Sequence, residues 1–462
     1  MCGARQAGLS TMRRLYDDNL YDFATPQPSY WEATAPPPTF SSAPLERDES
    51  CDVAIIGGGY TGLSAAYHLA RDHGLDVRVL EAGHIGWGAS GRNGGFCCIG
   101  GIGLQPGGVI RHFGIEAARD WYRAQAQAVE LVRNLAYDEA IDVDMFGSAE
   151  VTMAHSRRAY TGLEDDHKAM TGILGLDAEL LTRYEVSERI YDTDDQYGGL
   201  ICRPAFGLHP LRFCRGLAHA ASRRGATLHS SSEVLDWSRT ADGGHRLHTA
   251  GATLRASTVL FATNGFMPEG LRAEFYGRTM PIVSAIIVTR PLSDDERLDQ
   301  GWRTEHPTIN SRHLLNYFRL LPDNRFLFGA RGHTRGTRTG ERATYRKMIS
   351  TFRRLWPGWS DVEIEYRWHG LICMTASLRP GIGRLTDDPF TFFGFGYHGN
   401  GVNTATWAGK QLADWIGRGS APDDLPRFSR ELPRRYPLPA LRRAYLRTGL
   451  TLSLIHISEP TR

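Results

Sequence analysis

A chain of 462 residues is long enough for two or three domains, and its 41% hydrophobic and 23% charged residues are ordinary for a globular protein, which excludes collagen, global disorder and a membrane bundle. With 53 Lys plus Arg against 51 Asp plus Glu the net charge is +2, so nothing draws the whole chain toward nucleic acid or acidic lipid. The seven cysteines are odd in number, scattered and free of any C-x-x-C pair, which reads as reduced thiols of a cytoplasmic protein. The N-terminal stretch lacks an apolar signal region, and no run reaches the roughly 18 apolar residues of a membrane span.

Residues 1–47 read as an arm. Pro26, Pro28, Pro36, Pro37, Pro38 and Pro44 exclude a long helix, and Tyr16, Tyr21, Phe23, Tyr30 and Trp31 supply anchors that lay it along the body. Met12 is an alternative start. A short β-branched run from Asp52 to Ile56 then predicts a buried parallel strand, the glycines of 57–62 a turn, 63–73 a helix ended by Gly74, and 77–81 a second strand. Helical spacing of apolar residues recurs over 116–136, and a further helix is predicted over 210–224. Strands follow at 226–234, 246–254 and 258–262, and alternation near 282–288, 317–321 and 325–328 predicts an antiparallel sheet.

The strand–turn–helix unit carries chemistry. Gly57, Gly59 and Gly62 form G-x-G-x-x-G between strand and helix, a pattern that allows a tight turn, close approach of a pyrophosphate and close helix–strand packing. The anion sits on free N–H groups at the helix start, with Tyr60 and Thr61 in its first turn. Glu81, followed by Ala82, ends the second strand, where a carboxylate accepts both ribose hydroxyls and disfavours a 2′-phosphate. The turn alone does not separate NAD from FAD. The segment from Gly86 to Gly95, which includes Gly88, Ala89, Ser90, Arg92, Asn93, Gly94 and Gly95, has so few side chains that its backbone can wrap a flat ring.

These two motifs together resemble the D-amino-acid-oxidase-like superfamily of FAD-dependent oxidoreductases, and GWGASGRNGG with GYHGNGV most resembles its gamma-glutamylputrescine oxidoreductase subgroup. Two later segments extend the resemblance over about 52–418. The first joins Phe206 to Pro210 with Val234, Ala262, Thr263, Asn264 and Gly265; the second runs through His398, Gly399, Asn400, Gly401 and Val402 into a helix. The resemblance implies an α/β architecture: a Rossmann-like FAD-binding domain of glutathione-reductase type, with an interleaved α+β substrate domain on an antiparallel sheet. The FAD domain would comprise 48–95, 200–265 and 366–420, and the substrate domain 96–199 and 266–365, with a C-terminal extension at 421–452. It implies that the last helix points its N-terminus at the flavin pyrimidine edge, where the dipole favours the charge of reduced flavin. The chain departs from the family at Ser377, where Asp is usual, and Cys373 lies about two positions off the family's flavin-attaching cysteine, so FAD is expected to be non-covalent.

The implied reaction oxidises a C–N bond of a small amine or amino acid by hydride transfer to flavin N5, giving an imine that hydrolyses; a gamma-glutamylputrescine-like amine is favoured. The electrons pass to oxygen or another acceptor; a carrier-coupled dehydrogenase and a non-catalytic flavin-binding protein are the rival readings. His398 either contacts the reaction zone or stabilises its loop. Ser90 and Arg92 fall near the ring, where Arg92 alternatively makes a structural pair. Tyr317, Arg319 and Trp368 fall in segments that build the substrate face in relatives, and Arg319 is either a fork for a substrate carboxylate or a surface strand arginine.

Other features read blandly. His245 and His248 sit in a hairpin without a third ligand, so no metal is expected, and Cys97–Cys98 is not a redox pair. The basic stretch 331–354 reads as a solvated helix face or an attraction for an anionic substrate, with no nucleic-acid partner. A monomer and a dimer are both compatible with the sequence. Residues 453–462 resemble translated adapter sequence and are expected to be a non-native tail.

Overall fold

The computed structural model describes residues 14–312, 315–334 and 336–448. The alternative start at Met12, Arg335 of the basic stretch and the 453–462 tail lie outside the described residues.

Strand Glu49–Ile56 stands at the centre of the nucleotide-side sheet because its last four residues are apolar and buried on both faces. It pairs in parallel with Val77–Leu80 on one side and Thr253–Phe261 on the other. The sheet continues to Thr227–His229 beyond the first, and to Thr391–Phe395 and Gly381–Arg384 beyond the second. The alternating 246–254 stretch is a hairpin, His245–His248 against Thr253–Phe261. Helices Tyr60–His73, Ile115–Asp138, Pro210–Arg223 and Gly401–Arg418 share a core that includes Leu63, Ala66, Val129, Leu217 and Leu412. Gly74 ends the first helix at φ +63°, the left-handed conformation in which glycine has no Cβ penalty.

The second sheet runs Ile364–Thr375, Thr279–Pro291, Arg325–Arg331, Tyr317–Leu320, Thr308–Asn310, Glu150–Met153, Gly199–Arg203, Asp177–Leu181. Its pairings are antiparallel except for Thr308–Asn310 with Glu150–Met153, which is parallel, so the sheet is mixed. Two boundaries drawn on sequence are corrected here. Strand Ile364–Thr375 pairs along its length with Thr279–Pro291, and Gly199–Arg203 pairs with Glu150–Met153, so both belong to this sheet and not to the nucleotide side.

One face of this sheet packs Ala285, Ile287, Phe318, Phe326 and Phe328 against Met348 and Phe352 of helix Arg338–Leu355 and against Trp356 and Trp359. Alternation turns Ser284, Ile286, Tyr317, Arg319 and Arg331 to the opposite face. Trp368 stands opposite Ile286, so it shares that face. Contacts of Trp368, Tyr317 and Arg319 with the glycine-rich segment show that this face covers it. Of the arm, Tyr16, Leu20, Tyr21, Tyr30, Trp31 and Leu45 are buried against the body.

Candidate active site

The glycine turn is built by exclusion. A Cβ on Gly62 would stand 2.0 Å from the Gly57 carbonyl oxygen, and Gly57 takes φ +113°, so neither position tolerates a side chain. Gly59 caps helix Tyr60–His73 without any side-chain bond. Ser90 Oγ, from the glycine-rich segment, accepts from the Tyr60 N–H at 2.9 Å, which ties that segment to the helix start. Thr61 Oγ1 lies 2.7 Å from the Tyr397 hydroxyl. Glu81 accepts from the Gly58 N–H at 2.7 Å and the Gly83 N–H at 3.0 Å, flanking Ala82. Burial raises its pKa against these stabilising donors. Each carboxylate oxygen has a second lone pair for a hydroxyl donor.

The segment from Gly86 to Gly95 is held by its own residues. Asn93 Nδ2 donates to the carbonyls of Ala89 at 3.1 Å and Ser90 at 3.0 Å, and its Oδ1 accepts from the Gly95 N–H at 2.7 Å. Asn93 therefore shapes the loop, a role that motif spacing does not reveal. Arg92 donates through Nε to the Trp87 carbonyl at 2.5 Å and lies 3.8 Å over the Trp87 ring. Its Nη2 is buried without a partner, and burial lowers its pKa to about 9. At Gly88 a Cβ would meet only the Phe266 ring, at 3.5 Å.

The second sheet meets this loop through three predicted residues. Trp368 Nε1 donates to the Arg92 carbonyl at 2.8 Å. Arg319 is fully buried and donates to the carbonyls of Gly94 at 3.0 Å and Leu208 at 2.6 Å. Of the two readings of Arg319, a surface strand arginine is ruled out. The carboxylate fork is not what its donors do here, since Nε and Nη2 are committed to backbone and only Nη1 lacks a partner. Tyr317 sits against Gly94 and Phe96, its hydroxyl 3.0 Å from Ser284 Oγ.

Asn264, at φ +45°, accepts from the Gly396 N–H at 2.9 Å, and Ala262 donates to the Ile56 carbonyl at 2.9 Å, so 262–265 bridge the glycine turn to the C-terminal motif. Thr263 Oγ1 donates to Met267 Sδ, and Gly265 lies against Leu371 and Cys373. Val234 is a core residue beside Phe261. His398 takes φ +52°; its Nε2 lies 3.2 Å from Thr375 Oγ1, and its N–H donates to the Cys373 carbonyl. Its Nδ1 is buried without a partner, and burial lowers the imidazole to about pKa 4, so it is neutral. Asn400 caps the last helix without a side-chain cap bond; its Nδ2 donates to the Cys98 carbonyl at 2.6 Å. A Cβ at Gly401 would meet nothing within 4 Å, at Gly399 only Ile372, and Val402 is buried behind them.

Two helix N-termini capped without side chains, a glycine-lined path, a carboxylate with spare lone pairs and the unpartnered Arg92 Nη2 and His398 Nδ1 fit a dinucleotide carrying a ring system. The profile of the family described as DAO, FAD dependent oxidoreductase, matches residues 52–415. The chain belongs to the DAO family of FAD-dependent oxidoreductases. It is 32% identical over 402 residues to gamma-glutamylputrescine oxidoreductase of Escherichia coli (strain K12), covering 86% of this chain and 89% of that protein. It is 25% identical over 392 residues to glycine oxidase of Geobacillus kaustophilus (strain HTA426), covering 82% and 96%. Its fold matches the crystal structure of glycine oxidase from Geobacillus kaustophilus with TM-score 0.69 at 21% identity over 84% of this chain and all of that one. It matches L-proline dehydrogenase from P. horikoshii with TM-score 0.68 at 18% identity over 86% and 99%. As a member of this family the protein is an FAD-dependent oxidoreductase. No helix among the described residues is long and apolar enough to cross a membrane.

Sequence reasoning missed two residues at the site. Ser284, the partner of Tyr317, carries no motif. Arg331 was grouped with a basic helix, but it ends strand Arg325–Arg331, paired with Ser284. Its Nη2 is buried, no acidic side chain among the described residues pairs with it, and burial lowers its pKa to about 10. Strand alternation over 325–331 is the signal that places it on the Tyr317 face.

Proposed function

We propose that the enzyme oxidises the C–N bond of a small amine that also carries a carboxylate, of the amino-acid or gamma-glutamyl-amine class. The observation that carries the reading is Arg331: a guanidinium with no acidic partner among the described residues, beside the Ser284–Tyr317 hydroxyl pair, on the sheet face that covers the glycine-rich loop. Arg331 is half-buried with its Nη2 wholly enclosed, and an enclosed donor without a partner is costly; a substrate carboxylate supplies one. The 32% identity to gamma-glutamylputrescine oxidoreductase supports the same class.

The glycine turn, Glu81, the 86–95 loop and the last helix would hold FAD, which would supply a two-electron acceptor for the substrate hydride. In this reading Tyr317 and Ser284 orient the substrate, and neutral His398 offers Nδ1 to the reaction zone. Arg319 acts through the Gly94 and Leu208 carbonyls and is a positioning residue. The Cys373 thiol is fully buried and pushed up to about pKa 12, which supports non-covalent FAD. The electrons leave to oxygen or to a carrier.

Anaerobic bleaching of the flavin by gamma-glutamylputrescine, putrescine, sarcosine, glycine and D-amino acids tests the reading. A carboxylated amine is expected to bleach it, and the rate at which colour returns in air separates oxidase from dehydrogenase. Arg331→Gln is expected to raise KM for that amine by about 10- to 100-fold with kcat nearly unchanged, since a hydrogen bond to a charged group contributes roughly 1.5–3 kcal/mol. Bleaching by putrescine but not its gamma-glutamyl form, or an Arg331→Gln effect equal on both, would overturn it. A flavin that no amine bleaches would favour the non-catalytic reading.

A further inference from the structure

The N-terminal arm precedes the segment matched by the family profile, which starts at residue 52, yet it reaches the cofactor site twice. Trp31 Nε1 donates to the carbonyl of Asn93, the residue that shapes the glycine-rich loop, at 2.8 Å. The Trp31 ring lies between His209, at 4.7 Å between centroids, and Trp368, at 6.1 Å. At the other end of the loop, Trp87 Nε1 donates to the Thr25 carbonyl at 3.1 Å, and Phe23 stands edge-on to the Trp87 ring at 4.6 Å. The same Trp87 ring carries the Arg92 guanidinium.

The arm also roofs the carboxylate end. Glu32 is 2.7 Å from both His84 Nε2 and Arg215 Nη2, so the arm's helical turn Tyr30–Thr34 is tied to the residues just after Glu81 and to helix Pro210–Arg223. Farther along, the Ser42 carbonyl accepts from the Ser230 N–H at 3.0 Å, and the Leu45 N–H donates to Ser232 Oγ at 2.9 Å. Beneath this roof is a cavity of about 270 Å³ lined by Phe23, Glu32 and Phe40 of the arm and by His84, Ile85 and Ser231 of the body. The cavity borders the turn: Ile85 Cδ1 is 2.8 Å from where a Gly58 Cβ would stand, and Ser231 N–H donates to the Gly83 carbonyl at 2.8 Å.

We infer that the arm is the retaining strap of the FAD site: Trp31 and Thr25 pin the two ends of the ring-wrapping loop, Glu32 closes the roof beside Glu81, and FAD leaves only when these contacts open. The inference rests on Glu81 and the 86–95 loop holding the FAD. Trp31 and Glu32 are accordingly positioning residues for the cofactor. Their loss changes how fast FAD leaves more than how the protein folds.

The test uses the holoenzyme and follows recovery of free FAD fluorescence after dilution. Trp31→Phe keeps an aromatic ring and removes the donor; Glu32→Gln weakens the ion pairs. Tyr16→Phe, which removes the hydrogen bond of an arm residue to the Pro281 carbonyl, is the control. Trp31→Phe with Glu32→Gln is expected to release FAD at least tenfold faster and raise its Kd at least tenfold, with unchanged far-ultraviolet circular dichroism of the apoprotein. Tyr16→Phe is expected to stay within twofold of the parent. Release at the parental rate from the double variant overturns the strap. Glu81→Gln separates the two levels: if it loosens FAD while the arm variants do not, the strap alone fails, and if it does not loosen FAD, the underlying site fails too.

Discussion

His209 shows how far a single residue depends on its enclosure. It caps helix Pro210–Arg223 through Nδ1, which accepts from the Arg212 N–H at 3.2 Å, so its proton is on Nε2, which donates to Thr34 Oγ1 at 3.1 Å. Burial, and then the nearby Arg212 and Arg319 charges, lower its pKa to about 3. Between that value and the unfolded 6.5 the unfolded chain binds more protons, so this stability is complete above 6.5 and is lost as pH falls. His209→Asn keeps a capping side chain and removes the titration. Urea unfolding is expected to move the difference between parent and variant by about 2 kcal/mol in the variant's favour from pH 7.5 to pH 5.0, at roughly 1.4 kcal/mol per unit. An unchanged difference would mean His209 is not held neutral. The sequence does display His209 in Phe206–Pro210, where the family resemblance drew attention to it, but its neutral state comes from Trp31, Thr34 and Arg212 closing over it.

At the scale of elements, the contact between helix Gly401–Arg418 and helix Tyr60–His73 sets the spacing of the two N-termini proposed to face the cofactor. Gly409 makes it close: a Cβ there would stand 2.4 Å from the Thr61 carbonyl and 2.7 Å from Ser64 Cβ. Gly409→Ala gains about 1 kcal/mol of helix propensity, and forcing the helices apart costs more, so a net loss of roughly 1–3 kcal/mol and weaker FAD binding are expected. Gly107 lies in helix Pro106–Phe113 with nothing within 4 Å, so Gly107→Ala is expected to stabilise by about 0.5–1 kcal/mol. Chemical unfolding of the two variants checks the pair, and a Gly409→Ala gain equal to that of Gly107→Ala would refute the close contact. Elements with strong local signals were legible: the 63–73 and 210–224 helices appear as Tyr60–His73 and Pro210–Arg223, because periodicity and Gly74 or Pro210 mark them. The pairing of strand Ile364–Thr375 with Thr279–Pro291 was not legible, because partners 75 to 96 residues away leave no local trace.

For the molecule as a whole, FAD binding is a folding term. The proposed cofactor site draws on both sheets: the turn and Glu81 from one, Trp368 and Tyr317 from the other. A ligand held only by the native arrangement stabilises it by about 2.7 kcal/mol at a concentration 100 times its Kd. Calorimetry of the apoprotein is therefore expected to show a melting temperature that rises with the logarithm of added FAD; no rise would mean that the native arrangement does not bind FAD.

By itself the sequence determined the glycine turn, the acid at its second strand, the glycine-rich 86–95 loop and the FAD-dependent family, because these are patterns of short consecutive runs that need no long-range contact to be read. Only the tertiary structure decided what the long-range contacts do. It committed Arg319 to two backbone carbonyls, left Arg331 with no acidic partner among the described residues, brought Ser284 to Tyr317 and laid Trp31 on the loop. Those outcomes depend on register and burial: which strand an arginine lies beside, and how many charges reach it through low-dielectric protein, are set by residues from 33 to 225 positions away in the chain.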